Sequence, residues 1–326
     1  MKNLTRRDAV LGVATFAAAG MMTSSLAAQT ARRAAKFQVA GQEPEPEVVK
    51  DEILVPPLLG TEDLKTLMEI GDPQIVDIRQ PKAFLWNYSY AAGHIPNAVN
   101  VPFSKFRKLW NDPLSTPSEE DFTKLVQSMG LSYDRPVVLV HSSGAKGNFG
   151  FATFAYWTLK TAGFTNMAIL NGGIAEWKAS GGEMSKDKVK IVKSDTQAFI
   201  NDEWLATHED VDAVLDGTST AQLLDARPLH QIMEDASLEG SFTLNAEDLI
   251  AGKNGQAADD LSIFMKIKQA GLDWEYDEVI TYCNNGALAT VDWFMANEIA
   301  GIPNVKVYGH SLKARRKAEK ARLKNG

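Results

Sequence analysis

The chain of 326 residues is longer than a typical single domain, so its length predicts two domains, each with its own core. Apolar residues make up 44% of the sequence and aromatic residues 9%, which is enough for two packed cores. The formal net charge of -7 argues against a body that binds nucleic acid.

The first 30 residues carry the features of an export signal. Arg6 and Arg7 precede an apolar stretch over 10–22, and small residues over 25–28 suit cleavage. This order resembles a twin-arginine signal peptide and predicts a periplasmic protein. A membrane anchor is the alternative, but the apolar run is short and rich in Ala and Gly. Because no stretch of about 20 apolar residues follows, we expect no integral membrane span after signal removal.

Residues 31–52 predict a linker, since the run 42–47 holds two prolines, three glutamates and no apolar residue. Folded structure is expected from residue 53. Thr61, followed by Glu62 and Asp63, predicts the capped start of a helix. The runs 74–77 and 136–140 read as short buried strands separated by helical stretches. This alternation predicts an α/β fold with a mainly parallel sheet and helices on both faces.

The pattern of the first half recurs in the second, which indicates two copies of one α/β unit. Three features and their counterparts carry the repeat: Asp77-Ile78-Arg79 and Asp225-Ala226-Arg227, Gly130-Leu131 and Gly271-Leu272, and the strands before His141 and before Cys283. The copies are predicted over 53–187 and 188–312, with a basic tail over 313–326.

Cys283 is the only cysteine, so it has no partner for an internal disulfide. It stands where the strand-like run 279–282 gives way to the loop Asn284, Asn285, Gly286, Ala287 and Leu288 and then to a helical pattern. A tight loop between strand and helix points backbone N–H groups and the positive helix end at its first residue. This position favours a nucleophile over the alternative, a small buried hydrophobic residue.

Three runs of the first half carry a family resemblance: Asp77-Ile78-Arg79, Ala92-Gly93-His94-Ile95-Pro96-Asn97-Ala98, and Ile169-Leu170-Asn171-Gly172-Gly173-Ile174-Ala175-Glu176-Trp177. With their duplication, the chain resembles two-domain thiosulfate and 3-mercaptopyruvate sulfurtransferases of the rhodanese family over about 53–312. The resemblance implies two tandem rhodanese-like domains, of which the first is non-catalytic and the second catalytic.

The resemblance also implies the chemistry. Cys283 would take a sulfane sulfur from a small anionic donor, forming a persulfide, and pass it to a thiol or cyanide acceptor. Residues 284–288 would bind the substrate and hold its anion, and no cofactor or metal would be needed. Asp225 and Arg227 would support the loop through an internal salt bridge. A protein acceptor is left unidentified.

Departures from the family pattern leave the donor open. Ser241, Phe242 and Thr243 replace the expected His-Ile-Pro, and the closing run 307–312 lacks the usual Asp-Gly and tryptophan. The loop offers the neutral Asn284 and Asn285 where thiosulfate enzymes commonly place a cation. Thiosulfate, 3-mercaptopyruvate and polysulfide therefore remain possible donors, and a non-catalytic sulfur-binding or interaction protein is the alternative function.

Other basic residues and histidines carry weaker signals. Lys190 and Lys193 could supply the missing cation from the entry to the second domain. The loop has no arginine at its end, which argues against a phosphatase. His310 receives a weak functional assignment, and the histidines show no metal-ligand spacing. Residues 313–324 hold seven basic residues and one acidic residue, which predicts a solvated helix or, alternatively, a docking surface for an acidic partner or lipid headgroups.

Overall fold

The computed structural model describes residues 53–82, 89–112, 115–144, 146–252, 254–272 and 278–325. They belong to one compact unit, Glu52–Gly326. The predicted signal segment 1–30 and linker 31–52 lie outside the described residues.

The first half is built on a five-stranded parallel sheet in the order β1-β5-β4-β2-β3. Its strands and helices, in chain order, are β1 (Leu58–Leu59), α1 (Thr61–Ile70), β2 (Gln74–Asp77), β3 (Val99–Asn100), α2 (Phe103–Leu109), α3 (Glu119–Met129), β4 (Val137–Val140), α4 (Lys146–Thr161), β5 (Met167–Leu170) and α5 (Gly173–Ala179). The central strands β2, β4 and β5 are buried at every position, because helices cover both faces of the sheet.

The second half repeats the arrangement with a four-stranded parallel sheet in the order β11-β10-β6-β7 and a small β8-β9 hairpin. Its elements are α6 (His208–Leu215), β6 (Gln222–Asp225), α7 (Leu229–Glu234), β7 (Phe242–Thr243), β8 (Ile250–Ala251), β9 (Gln256–Ala257), α8 (Asp260–Gln269), β10 (Val279–Tyr282), α9 (Ala289–Trp293), a π-helical continuation (Phe294–Ile299), β11 (Val305–Val307) and α10 (Ser311–Asn325). The predicted α/β class and the buried strand over 279–282 are confirmed.

One local prediction needs correction. Helix α1 begins at Thr61 as expected, but Gly60 occupies the cap position and no side chain caps the helix. The acidic residues Glu62 and Asp63 lie in its first turn, where they favour the helix through its dipole without a capping hydrogen bond.

The two halves share one hydrophobic core, in which Phe149, Phe154 and Trp157 of the first half join Trp293 and Phe294 of the second. The long helix α4 packs against α9, which directly follows the Cys283 loop. Polar contacts between the halves also fix this packing. Among them are a hydrogen bond of 2.9 Å between the hydroxyls of Thr153 and Thr290, a hydrogen bond of 2.9 Å from Tyr156 to Glu298, and an ion pair of 2.7 Å between Lys160 and Glu298. The first half therefore forms a wall of the site in the second.

Within the described part of the chain, no helix combines the length and the apolar character needed to cross a membrane.

Candidate active site

Cys283 lies at the carboxyl end of β10, a central strand between β6 and β11. Ligands of open α/β sheets bind at this edge, because the loops that follow the strands meet there. The strand ends at Tyr282, and helix α9 begins at Ala289. Residues 283–288 thus form the connecting loop, as predicted.

The thiol of Cys283 faces the backbone of its own loop. The N–H of Gly286 donates a hydrogen bond of 3.1 Å to the Cys283 Sγ. The next N–H, of Ala287, donates to the Asn285 side chain at 3.3 Å instead. One backbone donor therefore contacts the sulfur, where the sequence predicts several, because the Asn285 carboxamide takes up the second.

The closing run of the chain holds the other side of the loop. The N–H of Cys283 donates to the Ser311 hydroxyl at 3.2 Å, and that hydroxyl donates to the Tyr308 carbonyl at 2.8 Å. The N–H groups of Leu312 and Lys313 donate to the carbonyls of Cys283 and Asn284, at 3.0 and 3.1 Å. The departure from the family pattern at 307–312 thus lies at a segment that fixes the loop backbone.

A buried ion pair anchors the loop from below. The Arg227 guanidinium donates to both carboxylate oxygens of Asp225, at distances between 2.7 and 3.1 Å, and both side chains are fully buried. Its free edge donates to the Asn284 side chain at 3.3 Å. Burial opposes the charge on Arg227, but the hydrogen bonds and charge of Asp225 outweigh burial and raise the pKa of Arg227. The pair thus ties β6 to the Cys283 loop.

The first half contains the equivalent ion pair, which holds a different loop. Arg79 binds Asp77 at 2.6 Å and donates to the carbonyls of Ser89 and Gly93, at 3.2 and 2.8 Å. These contacts hold the loop that leads to His94. The two Asp-x-Arg motifs are equivalent in geometry, but only the second reaches a loop with a cysteine.

Helix α4 leaves no space for side chains at two positions around the loop. Gly286 has a φ of +89°, and a Cβ there would meet the Phe154 ring at 2.8 Å and the Gly309 carbonyl at 2.9 Å. A Cβ at Gly309 would meet the Trp157 ring at 2.4 Å. The glycines therefore let the loop and the closing run lie directly against the first half.

Cys283 opens into a cavity of about 280 Å³. This volume holds roughly nine waters at about 30 Å³ each. Its lining combines the predicted loop residues with four from elsewhere: Phe151, Gln231, Glu247, Cys283, Asn284, Asn285, Ala287, Leu288 and Lys313. Gly286 contributes its N–H to the sulfur and does not line the cavity.

Arg107 of helix α2 supplies a cation near Cys283 from the first half. Its guanidinium lies over the Phe154 ring, 5.6 Å from the ring centroid, and Phe154 in turn lies against Gly286. Its buried Nη1 has no hydrogen-bond partner among the described residues. Burial lowers the pKa of Arg107, and the negative charge of Cys283 counteracts this shift. A negative charge on Cys283 thus favours the charged form of Arg107 across the two halves.

Two other buried titratable groups have pKa values shifted toward their uncharged forms. Burial, with the charges of His208 and Arg107, lowers the pKa of His310 to about 4, and its ring stacks on His208 at 5.2 Å. Burial raises the pKa of Asp292, in α9, well above its usual value. His310, which has a weak functional assignment from the sequence, makes no hydrogen bond to Cys283 among the described residues.

The equivalent position of the first half holds His141 in a smaller cavity of about 90 Å³. His141 is 1% exposed, and burial lowers its pKa to about 4. A neutral, enclosed imidazole replaces the thiol there. Among the described residues no cluster of histidine, cysteine or carboxylate side chains could hold a metal ion.

Some residues that determine this site carried no clear signal in the sequence. Lys313 at the cavity mouth, Ser311 behind Cys283 and Arg107 across the interface were not selected from the sequence. Lys190 and Lys193, which the sequence suggested as a source of the missing cation, do not line the Cys283 cavity. Ser241 accepts a hydrogen bond of 2.8 Å from Tyr282, so its departure from the family pattern anchors the strand before Cys283.

Comparison with known proteins finds a family match in the first half of the chain. Residues 60–180 match the Rhodanese-like domain family. The chain is 28% identical over 243 residues to a protein of Saccharopolyspora erythraea named "Putative thiosulfate sulfurtransferase", covering 68% of this chain and 82% of that protein. It is 26% identical over 258 residues to the 3-mercaptopyruvate sulfurtransferase of Escherichia coli K12, covering 73% of this chain and 88% of the relative.

Solved structures agree on the fold. The crystal structure of the Escherichia coli 3-mercaptopyruvate sulfotransferase superposes with a TM-score of 0.66 at 22% identity, covering 79% of this chain and 99% of that one. An anaerobic ergothioneine biosynthesis enzyme of Chlorobium limicola superposes with a TM-score of 0.65 at 18% identity, covering 78% and 67%. Both show the same α/β architecture.

The two Asp-x-Arg pairs offer a matched test of how the loop is anchored. Arg227→Ala and Arg79→Ala each leave a buried carboxylate unpaired, so each should lower the free energy of unfolding by roughly 3–5 kcal/mol. Only Arg227→Ala also removes a hydrogen bond to Asn284, so only this variant should change the alkylation rate of the Cys283 thiol by iodoacetamide. Equal alkylation rates in the two variants, measured where both are folded, would contradict the anchoring role of Arg227.

Proposed function

We propose that this chain, which carries a rhodanese-like domain over residues 60–180, is a sulfurtransferase that moves a sulfane sulfur from a small donor to a thiophilic acceptor through a persulfide on Cys283. One observation carries the assignment to Cys283. The only sulfur nucleophile of the chain receives a backbone hydrogen bond of 3.1 Å at the edge of the sheet and opens into a cavity of about 280 Å³. The relatives named for sulfur transfer support the reaction class.

The reaction has two half-steps. With thiosulfate, the Cys283 thiolate attacks the outer sulfur of the donor, the new S–S bond forms, and sulfite leaves with the electrons of the broken S–S bond. An acceptor such as cyanide or a thiolate then attacks the outer sulfur of the persulfide, and Cys283 leaves as the thiolate. No electrons are gained or lost overall, and the steps use no cofactor.

The described contacts stabilise the charges of both half-steps. The Gly286 N–H can hold the anionic sulfur, because a preorganised backbone donor in a largely enclosed site needs no rearrangement during the reaction. Arg107 adds a positive charge on the side of the first half, and Lys313 adds one at the cavity mouth. The cation that the loop itself lacks is thus supplied by residues distant in sequence.

We take thiosulfate as the donor to test first. The cavity of about 280 Å³ is large enough for this small dianion, and its two charged lining residues are the positive Lys313 and the negative Glu247. We also propose that the predicted twin-arginine segment directs the chain to the periplasm.

Replacing the nucleophile tests the reaction. Cys283→Ser should abolish thiocyanate formation from thiosulfate and cyanide, while the melting temperature changes little, because the backbone bonds of residue 283 to Ser311 and Leu312 are kept. The measurement is steady-state turnover of the natural chain and the variant. Undiminished turnover by the folded variant would contradict the proposal. A natural chain that holds a persulfide but never turns over would favour the sulfur-carrier alternative.

The contribution of Arg107 can be separated from its packing. Arg107→Met keeps the contact with Phe154 but removes the charge, so persulfide formation should slow by about tenfold, which corresponds to about 1.4 kcal/mol. The melting temperature should stay or rise, since the lost guanidinium has an unpartnered buried nitrogen. Lys108→Met, which removes an exposed neighbouring cation, is the control. An equal effect of the two variants on single-turnover persulfide formation would contradict the role of Arg107.

A further inference from the structure

A second, larger groove continues from the Cys283 cavity along the C-terminal helix. It has a volume of about 790 Å³ and lies between α7 and α10. Its lining residues are Gln231, Glu234, Asp235, Asn284, Lys313, Arg316, Lys317 and Lys320. Three of them, Gln231, Asn284 and Lys313, also line the Cys283 cavity. The groove and the Cys283 cavity therefore adjoin at these three residues.

The groove is much larger than the small molecules of the proposed reaction require. Lys313 and Lys320 are seven residues apart on α10, which is about 10 Å at 1.5 Å per residue. An extended peptide rises about 3.3 Å per residue, so this length accommodates roughly three residues. Thiosulfate and cyanide would leave most of the groove empty.

The charge of the groove is predominantly positive. Positions 313, 316, 317 and 320 lie on one face of a helix, because they follow the i, i+3, i+4, i+7 spacing. Arg316 is paired with Asp235. Lys313, Lys317 and Lys320 are exposed and form no ion pair among the described residues, whereas the opposite wall offers Glu234. Three unpaired ammonium groups thus face one carboxylate, which favours an anionic ligand.

Two apolar side chains stand on the helix that forms the opposite wall. Leu229 and Met233 of α7 are 70% and 80% exposed, and their i, i+4 spacing places them on one side of that helix. At about 100° per residue this side faces away from Gln231 and Glu234, so the two apolar side chains do not line the groove. A recess that contains Glu234 fits a lipid headgroup layer less well, since a membrane needs an open, uniformly basic face.

We propose that this groove docks the sulfur acceptor, and that the acceptor is an acidic polypeptide segment whose cysteine enters the Cys283 cavity. The inference rests on the proposed function and names the acceptor class for it. The acceptor thiolate attacks the outer sulfur of the Cys283 persulfide, a new S–S bond forms, the bond to the Cys283 Sγ breaks, and Cys283 leaves as the thiolate. The acceptor departs as a persulfide, and no further reactant is needed.

Charge reversal in the groove tests this docking. The full chain is loaded with sulfur and mixed with a synthetic peptide in which one cysteine is flanked by glutamates, with a glutamine peptide of equal length, or with cyanide. The natural chain should show a KM for the acidic peptide about tenfold below that for the glutamine peptide near 0.01 M salt, and the difference should fade toward 1 M salt. Lys317→Glu combined with Lys320→Glu should remove this preference and leave transfer to cyanide unchanged.

The matched control is Lys186→Glu combined with Lys188→Glu, which makes the same change in net charge at exposed residues that line neither cavity. An equal loss of preference in this control, or an equal loss for both peptides in the groove variant, would overturn the docking site. If the groove variant keeps the peptide preference but loses binding to phosphatidylglycerol vesicles, the surface is a lipid site and the proposal is wrong. Absence of transfer even to cyanide would instead contradict the proposed function.

Discussion

The close contact of Gly286 with the first half of the chain is the constraint on which the site depends. The φ of +89° and the two contacts below 3 Å that a Cβ would make leave glycine as the residue that fits there. This contact places the Gly286 N–H against the Cys283 sulfur and brings the loop beside Phe154, on which Arg107 lies. The hydrogen bond and the cation of the site thus follow from one packing contact.

The two halves contribute differently to the site, although their sequence patterns repeat. The first half has His141 where the second has the thiol, and its own cavity is about 90 Å³. It nevertheless provides the wall of the loop through Phe154 and Trp157 and a positive charge through Arg107. A domain without a nucleophile is therefore still part of the site, and separating the halves would remove both contributions.

The sequence predicts the local features of the site, but not the features that depend on how the two halves pack. The strand over 279–282 and the position of Cys283 at its end followed from hydrophobic pattern and turn residues. Arg107 carried no such signal, because its closeness to Cys283 comes from the packing of α2 and α4 against the second half. The predicted number of N–H groups at the Cys283 sulfur was also wrong, because the Asn285 side chain accepts the hydrogen bond of one of them. Domain boundaries at 187 and 312 stay predictions.

The departures from the family pattern acquire physical roles in the structure. Ser241 and Ser311 both make hydrogen bonds that position the strand and loop of Cys283, at 2.8 and 3.2 Å. Gly309 makes space for Trp157, where a side chain would collide with the ring. Ser241 and the closing run 307–312 therefore support the strand and loop of Cys283.

The central claim is that Cys283 carries the transferred sulfur, and the mass of the intact protein tests it most directly. The purified chain is exposed to thiosulfate, desalted without reductant and measured before and after addition of cyanide. The account predicts a gain of one sulfur atom, located at Cys283 by peptide mapping, that cyanide removes as thiocyanate. A chain that keeps its original mass with thiosulfate, 3-mercaptopyruvate and polysulfide alike would contradict the account.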